Sequence, residues 1–506
     1  MKARSIMIQG TSSDVGKSLI CTALCRVFSN KGLRVVPFKS QNMALNSYVT
    51  LDGGEIGRAQ GVQAEAARIT ATTDMNPILL KPKQDMVSEV IVHGKHFLDM
   101  DAKSYRYQFV QEAMPIVRKS VEKLQDEYDI IVLEGAGSPA EINLKDRDIA
   151  NMRMAKLADA SVILVADIDR GGVFASIIGT LALLDKDERE CVKGIIINKF
   201  RGMRELLDDG IEWVEKETGI PVLGVLPYID VNIEAEDSLA LSSLRFKKPK
   251  KAEFPIDVAV LRLPRISNFT DVDPFFDEPG VGVRLVGSVH ELGNPDLLIL
   301  PGTKNTMEDL EWLRRAGLDR AIQDLREKGT LIFGICGGFQ MLGTKLFDPD
   351  AVEGCGENAI GLSLLPVQTV FNAEKKTVQM EGVLSSGIME GEMNLTGFEI
   401  HLGRTSLDST LVSPFLLLKD GREDGAISAD NKVIGTYLHG IFHNRLFTRM
   451  LVNQIRRSKG LDEVKENVQS DSERREEAYN LLASHLEENI DMDTIYEWLQ
   501  FETMES

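Results

Sequence analysis

The run from Leu331 to Gly343 narrows the possible folds more than any other stretch of the chain. Leu331 to Phe333 is apolar and short enough for a buried strand, and Phe339 to Leu342 opens a helical pattern. Between them Gly334, Cys336 and Gly338 stand as Gly-x-Cys-x-Gly. That spacing is the strand–turn–helix elbow of hydrolases with cysteine in the nucleophile's place. So sharp a turn strains the backbone, and neighbours without a Cβ let strand and helix close around the side chain. The helix that follows aims its N-terminal N–H groups at the sulfur and favours thiolate over thiol. The plain alternative is a small buried cysteine in a glycine-rich turn, and a second element decides against it.

That element is the apolar run from Val433 to Leu438, which ends in His439. A lone histidine after such a run is usually structural, but beside a cysteine elbow it supplies the base of a Cys–His relay. Gly-x-Cys-x-Gly-x-Gln, completed by Gln340 and followed by a strand-end histidine, resembles the class I glutamine amidotransferases. The resemblance implies that Cys336 attacks the side-chain amide of glutamine and releases ammonia. It also implies an oxyanion hole and glutamine contacts from Gly302, Thr303, Gly337 and Gln340. Many members of that class carry His-x-Glu, whereas Ile441 stands at the third position here, so the residue orienting His439 is left open.

Ammonia made inside a protein needs a consumer, and the first forty residues supply a candidate. Arg4 to Gly10 is a strand, and Gly10 to Ser18 is a loop ending Gly16-Lys17-Ser18 before a helix from Leu19 to Phe28. Such a loop wraps phosphate oxygens with backbone N–H groups, adds the Lys17 charge and offers the Ser18 hydroxyl to Mg²⁺. Five residues separate the two glycines where the usual phosphate loop has four, and the longer form resembles the dethiobiotin synthetase branch. Gly10, Thr11, Asp14, Gly16, Lys17 and Ser18 are the expected ATP contacts. Further strands follow at 33–39, 129–134, 161–167, 194–198 and 221–227, alternating with helical patterns. Continuous Ile/Val/Leu strands of this kind predict a mostly parallel sheet covered on both faces. Ligands collect at the carboxyl ends of such strands, where Lys39, Glu134, Asp167 and Asn198 fall. Glu134 and Asp52 join Ser18 as expected Mg²⁺ ligands, Lys39 is placed on ATP, and Asn198 resembles the base-reading residue of related ATPases.

The length of 506 residues implies two or three cores. A formal charge of −19 argues against a nucleic-acid partner, and no apolar run is long enough to span a bilayer. Five cysteines without a regular framework, and a first strand that begins at once, lead us to expect reduced thiols and a cytoplasmic protein.

Between the second strand and residue 128 lies material an ATPase does not need. Ser40 to Ser47, Asp52 to Gln60 and Met75 to Lys83 closely resemble the cobyric acid synthase family, as do Val165 to Phe174 and Phe398 to Thr405. The resemblance covers nearly the whole chain. It implies an α/β protein in which a phosphate-loop synthetase domain is fused to a class I amidotransferase domain. The implied reaction is ATP- and glutamine-dependent amidation of the b, d, e and g carboxylates of adenosyl-cobyrinic acid a,c-diamide. Asn42, Arg58, Lys81 and Lys83 are the expected substrate contacts, the basic ones as a rim on an acidic protein. The expected domains are residues 1–235, a basic proline-interrupted linker at 236–254, 255–447, and a helical tail at 448–506. His93 and His96 have no third ligand nearby and are expected to be surface residues. Two other readings stay open at this point. One is a related amidotransferase acting on the a and c carboxylates or on a cell-wall lipid precursor; the other is a ParA-like ATPase switch with an inactive second domain.

Overall fold

The computed structural model describes residues 2–84, 86–231, 254–354, 358–385, 393–407, 411–466 and 468–501. The first sheet has six parallel strands in the order Val222–Pro227, Val192–Phe200, Ser161–Asp167, Arg4–Gly10, Ile130–Glu134, Val35–Phe38. Every residue of Ile130–Glu134 is buried, as a continuous Ile/Val/Leu run requires when both faces are covered. Lys17–Asn30 is the first crossover helix, starting directly after the left-handed Gly16. A Cβ on Gly16 would stand 2.2 Å from the Asn198 amide nitrogen, so the loop can pack against the end of strand Val192–Phe200 only with glycine there.

The insertion after the second strand builds its own small sheet, in the order Gln41–Met43, Ile78–Gln84, Val87–Val92, Lys95–Asp101, with a hairpin (Ser47–Val49 and Glu55–Gly57) beside it. The expected linker at 236–254 lies, but for Phe254, outside the described residues.

The second large sheet runs Val281–Val286, Ile256–Leu261, Leu297–Leu300, Leu331–Ile335, Val433–Thr436, Ala426–Ile427, parallel except for the last strand. Cys336 and His439 therefore follow the carboxyl ends of adjacent strands, which is why two motifs about a hundred residues apart in sequence meet. Helix Arg445–Ser458 crosses the expected boundary at 448 and buries Phe447, Leu451 and Val452 in this second core. The chain then returns to the first domain. Helix Asp471–Asn489 lays Tyr479, Leu482 and Leu486 against the Lys17–Asn30 helix, the amphipathic face its spacing predicts. Arg26 of that first helix is fully buried and donates bidentately to Glu476 at 2.9 and 2.7 Å, with Tyr479 beneath its guanidinium.

Candidate active site

The thiol end is built on strain. Cys336 adopts φ 51°, ψ −110°, a region that a side chain tolerates only when the surroundings over-determine it. The neighbouring strand helps, because the Cys336 N–H donates to the Thr436 carbonyl at 2.8 Å. His439 is held on three sides: its N–H donates to the Phe398 carbonyl at 2.9 Å, its ring stacks on Phe398, and its imidazole meets the Cys336 thiol.

The orienting group left open by the sequence is Asp271. His439 Nδ1 donates to Asp271 Oδ2 at 2.7 Å, and the Gly440 N–H fixes the other carboxylate oxygen at 2.8 Å. Ile441, the residue at the His-x-Glu position, is core. Burial works against the imidazolium, yet the Asp271 charge and hydrogen bond, helped by Cys336, outweigh it and push the His439 pKa up to about 10. The Asp271 carboxylate thus favours the imidazolium beside the sulfur, the partner that a thiolate requires. Asp271 lies in the Ser267–Asp271 stretch just after strand Ile256–Leu261. It stands in the 3-10 stretch Phe269–Asp277, beyond the reach of the strand-end rule that flagged Lys39 and Glu134 in the first sheet. The polar run Asn268, Thr270, Asp271 was the available signal.

Gly302 and Thr303 follow strand Leu297–Leu300 and face the elbow. A Cβ on Gly302 would come 2.8 Å from His439 Cε1, and one on Gly337 would come 3.2 Å from the Thr303 nitrogen. Backbone around Thr303 and Gly337 thus converges beside the sulfur, as an oxyanion hole needs. Gln340 is a brace: its Oε1 accepts from Thr306 Oγ1 at 2.8 Å, and its Nε2 donates to the Leu402 carbonyl and Tyr437 hydroxyl.

At the other end, Glu134 organises the phosphate loop. Ser18 Oγ donates to its Oε1 at 2.9 Å, Lys39 Nζ to the same oxygen at 2.8 Å, and Gln63 Nε2 to Oε2 at 2.7 Å. Burial raises the Glu134 pKa, but Lys39 and these hydrogen bonds bring it below the usual carboxylate value. Lys17 Nζ donates to the Ser12 and Gly137 carbonyls, both at 3.0 Å. Asn198 braces the loop, its Nδ2 donating to the Val15 carbonyl at 2.7 Å. Thr11 N–H continues the sheet by donating to the Val165 carbonyl, and Asp14, at φ 60°, pairs with Arg170. Gly10 is packed under Val15 and Lys17.

Residues 6–240 match the CobQ/CobB/MinD/ParA nucleotide binding domain, and residues 257–447 match the CobB/CobQ-like glutamine amidotransferase domain. A cobyric acid synthase of Geobacillus sp. (strain WCH70) is 51% identical over 98% of this chain and 98% of its own. That of Anoxybacillus flavithermus is also 51% identical, over 98% of this chain and 97% of its own, and that of Clostridium novyi is 49% identical over 98% of both. The chain belongs to the cobyric acid synthase family.

Within this family frame, several expected contacts move. Asp52 is not with Ser18 and Glu134: it sits exposed in a turn that packs on Thr377 of the second domain, because the hairpin that carries it reaches across the domain interface. Lys81 is no exposed rim; it is buried and lines the cavity in front of Cys336, since its strand lies under the second domain. Lys83 pairs with Asp99, and its carbonyl accepts from Arg265 Nε at 3.0 Å. Arg58 stacks over Tyr48, and Asn42 is buried, donating to Gln60. His96 lies 3.2 Å from Glu89 and His93 3.7 Å from Asp74, and no group of three metal-ligating side chains occurs among the described residues. No helix among them is long and apolar enough to cross a membrane.

Proposed function

We propose that the chain hydrolyses glutamine at Cys336 and delivers the ammonia to corrinoid carboxylates activated by ATP at the phosphate loop. The observation that carries this is the intact Cys336–His439–Asp271 relay in the same chain as the Lys17–Glu134–Lys39 cradle. The substrate we assign is adenosyl-cobyrinic acid a,c-diamide, amidated in turn at b, d, e and g. An ATPase switch with an inactive second domain would have no use for a charged relay around a strained cysteine.

The relay acts as follows. Thiolate Cys336 attacks the glutamine side-chain carbonyl, and the N–H groups near Thr303 and Gly337 take the developing oxyanion. His439 gives its proton to the departing nitrogen, a glutamyl thioester remains, and water hydrolyses it with His439 as base. Asp271 keeps the imidazole oriented throughout.

At the cradle, the substrate carboxylate attacks the terminal phosphate of ATP and ammonia displaces phosphate from the resulting acyl phosphate. Lys17 and Lys39 offset the charge that develops. The Ser18 hydroxyl and Glu134 carboxylate are hard oxygen donors 2.9 Å apart at the strand end, which suits Mg²⁺. When bound there, Mg²⁺ neutralises phosphate charge. A cavity of about 910 Å³ opens beside this point and includes Gly137, whose carbonyl accepts from Lys17. Its wall combines Met43, Met100 and Tyr105 with Arg106, Arg153 and Lys156 and with Glu141, Asp148 and Glu188, an apolar bed rimmed by charges of both signs, on which the cations can meet the carboxylates of a flat macrocycle. This replaces the rim of Arg58, Lys81 and Lys83 as the corrinoid site.

Mass spectrometry with glutamine, ATP and the a,c-diamide tests the assignment, each step converting one carboxylic acid to its amide. Cys336→Ala is expected to abolish the glutamine-driven reaction and spare the one driven by ammonium salts. Loss of both would refute the division into two sites.

A further inference from the structure

The cavity in front of Cys336 is narrow, and three ammonium groups that the sulfur chemistry does not use line it. Lys304 and Lys375 belong to the amidotransferase domain, and Lys81 comes from strand Ile78–Gln84 of the synthetase insertion. They are joined by a buried chain of ions. Lys81 Nζ donates to Glu55 Oε1 at 2.7 Å and to Ser47 Oγ at 2.7 Å. Lys375 Nζ bridges Glu55 Oε2 at 2.6 Å and Glu89 Oε1 at 3.0 Å, and Lys304 Nζ lies 2.6 Å from Glu89 Oε2. Both carboxylates are synthetase residues, so the chain of charges threads back and forth across the domain interface.

An interface needing only stability would do as well with apolar side chains, because desolvating ion pairs offsets most of their attraction. Here the cations instead face a cavity that must hold an amino acid. Within the chain three ammonium groups stand against two carboxylates. Glu353, also on the cavity wall, is engaged by the helix start, accepting from the Thr306 and Met307 N–H groups. Beside the ion chain the two domains are clasped by a reciprocal pair of hydrogen bonds. Phe269 N–H donates to Asn46 Oδ1 at 3.2 Å, and Ser47 N–H donates to Asn268 Oδ1 at 3.0 Å. Asn268 Nδ2 in turn lies 3.4 Å from His439 Nε2.

We propose that Lys81 and Lys375 receive the α-carboxylate of bound glutamine, so that a synthetase residue completes the amidotransferase pocket. The proposal rests on glutamine being the substrate of Cys336. Glu55 and Glu89 are positioning residues, holding the lysines at the cavity wall. Glutamine is then bound productively only with the two domains docked, which ties ammonia release to the presence of its consumer.

The test compares glutamine with its α-methyl ester, which keeps the side-chain amide and lacks the α-carboxylate charge. In the full-length wild type the kcat/KM ratio should favour glutamine. Lys81→Met and Lys375→Met should each cut that preference by about 10²-fold, chiefly through the KM for glutamine, as loss of a desolvated charge pair does. Lys81→Arg should restore most of it, and Glu55→Gln should show a smaller loss of the same kind. The two methionine variants come from different domains, so if one fails to fold the other decides. An unchanged preference in a folded variant overturns the proposal. If the wild type amidates with ammonium salts but never uses glutamine, the reading of Cys336 fails instead.

Discussion

The two ends of the molecule solve opposite problems with the same strand-end geometry. At the thiol end, Cys336 is 6% and His439 1% exposed, and the charged partners are assembled before any substrate arrives. At the phosphate end the cations are lent out: Lys17 to two carbonyls, Lys39 to Glu134. A nucleophile must be raised in energy and kept from water, so strain and burial serve it. A phosphate cradle must exchange its partners when a highly charged ligand enters, so its donors are held by weaker carbonyl contacts and one shared carboxylate. Both ends are buried and assembled by the fold; they differ in that the first holds a strained nucleophile and the second holds cations on oxygens.

The largest effect that would sharpen this contrast is at the cradle, which both nitrogen sources share. Lys17→Met should lower glutamine-driven and ammonium-driven amidation alike, by about 10³–10⁵-fold, in steady-state assays. A loss confined to glutamine would break the comparison. Asp271→Asn should act on one end only. It is expected to reduce glutamine hydrolysis by about 10²–10⁴-fold while the ammonium-driven rate holds, as read from ammonia release and amidation measured in parallel.

A third prediction concerns pH. Against burial, the Asp271 carboxylate pushes the His439 pKa up to about 10 from an ordinary value near 6.5. A raised value in the folded state means that the stabilisation is fully present below about 6.5 and is lost as pH rises through about 10. The difference in urea midpoint between wild type and His439→Gln should therefore shrink from pH 6.5 to pH 10. Glu55 has the opposite sign: burial raises its pKa, but Lys375 and Lys81 hold it down to about 2. Its contribution is present above about 4.5 and should be lost only as pH falls toward 2. Denaturation curves of wild type and Glu55→Gln should accordingly converge at the acid end. The smallest effect is far from both sites. Arg26→Met should destabilise the chain by about 1 kcal/mol, since the half-exposed Glu476 it leaves behind is hydrated, and should loosen the returning tail without altering glutamine KM.

How much of this was readable beforehand follows from contiguity. The elbow around Cys336, the loop from Gly10 to Ser18 and the strand-end positions of Glu134 and His439 each rest on residues adjacent in sequence, so their local pattern names them. The helix face of Tyr479, Leu482 and Leu486 was legible for the same reason, since its period belongs to one helix. Lys81 was misread as a surface cation because a charged residue in a Pro-containing strand carries no local sign of what will cover it. Asp52 was misplaced similarly, by proximity in sequence to a site its hairpin turns away from.

By itself the sequence determined the two chemistries, the parallel sheet of the first domain and the family. Phosphate cradles and nucleophile elbows are built by backbone turns that a few neighbouring residues dictate. Only the tertiary structure decided which carboxylate serves His439, where the tail returns, and that Lys81 crosses into the other domain's pocket. Those are contacts between side chains hundreds of residues apart or on different elements, and their partners are chosen by how the elements pack rather than by any pattern along the chain.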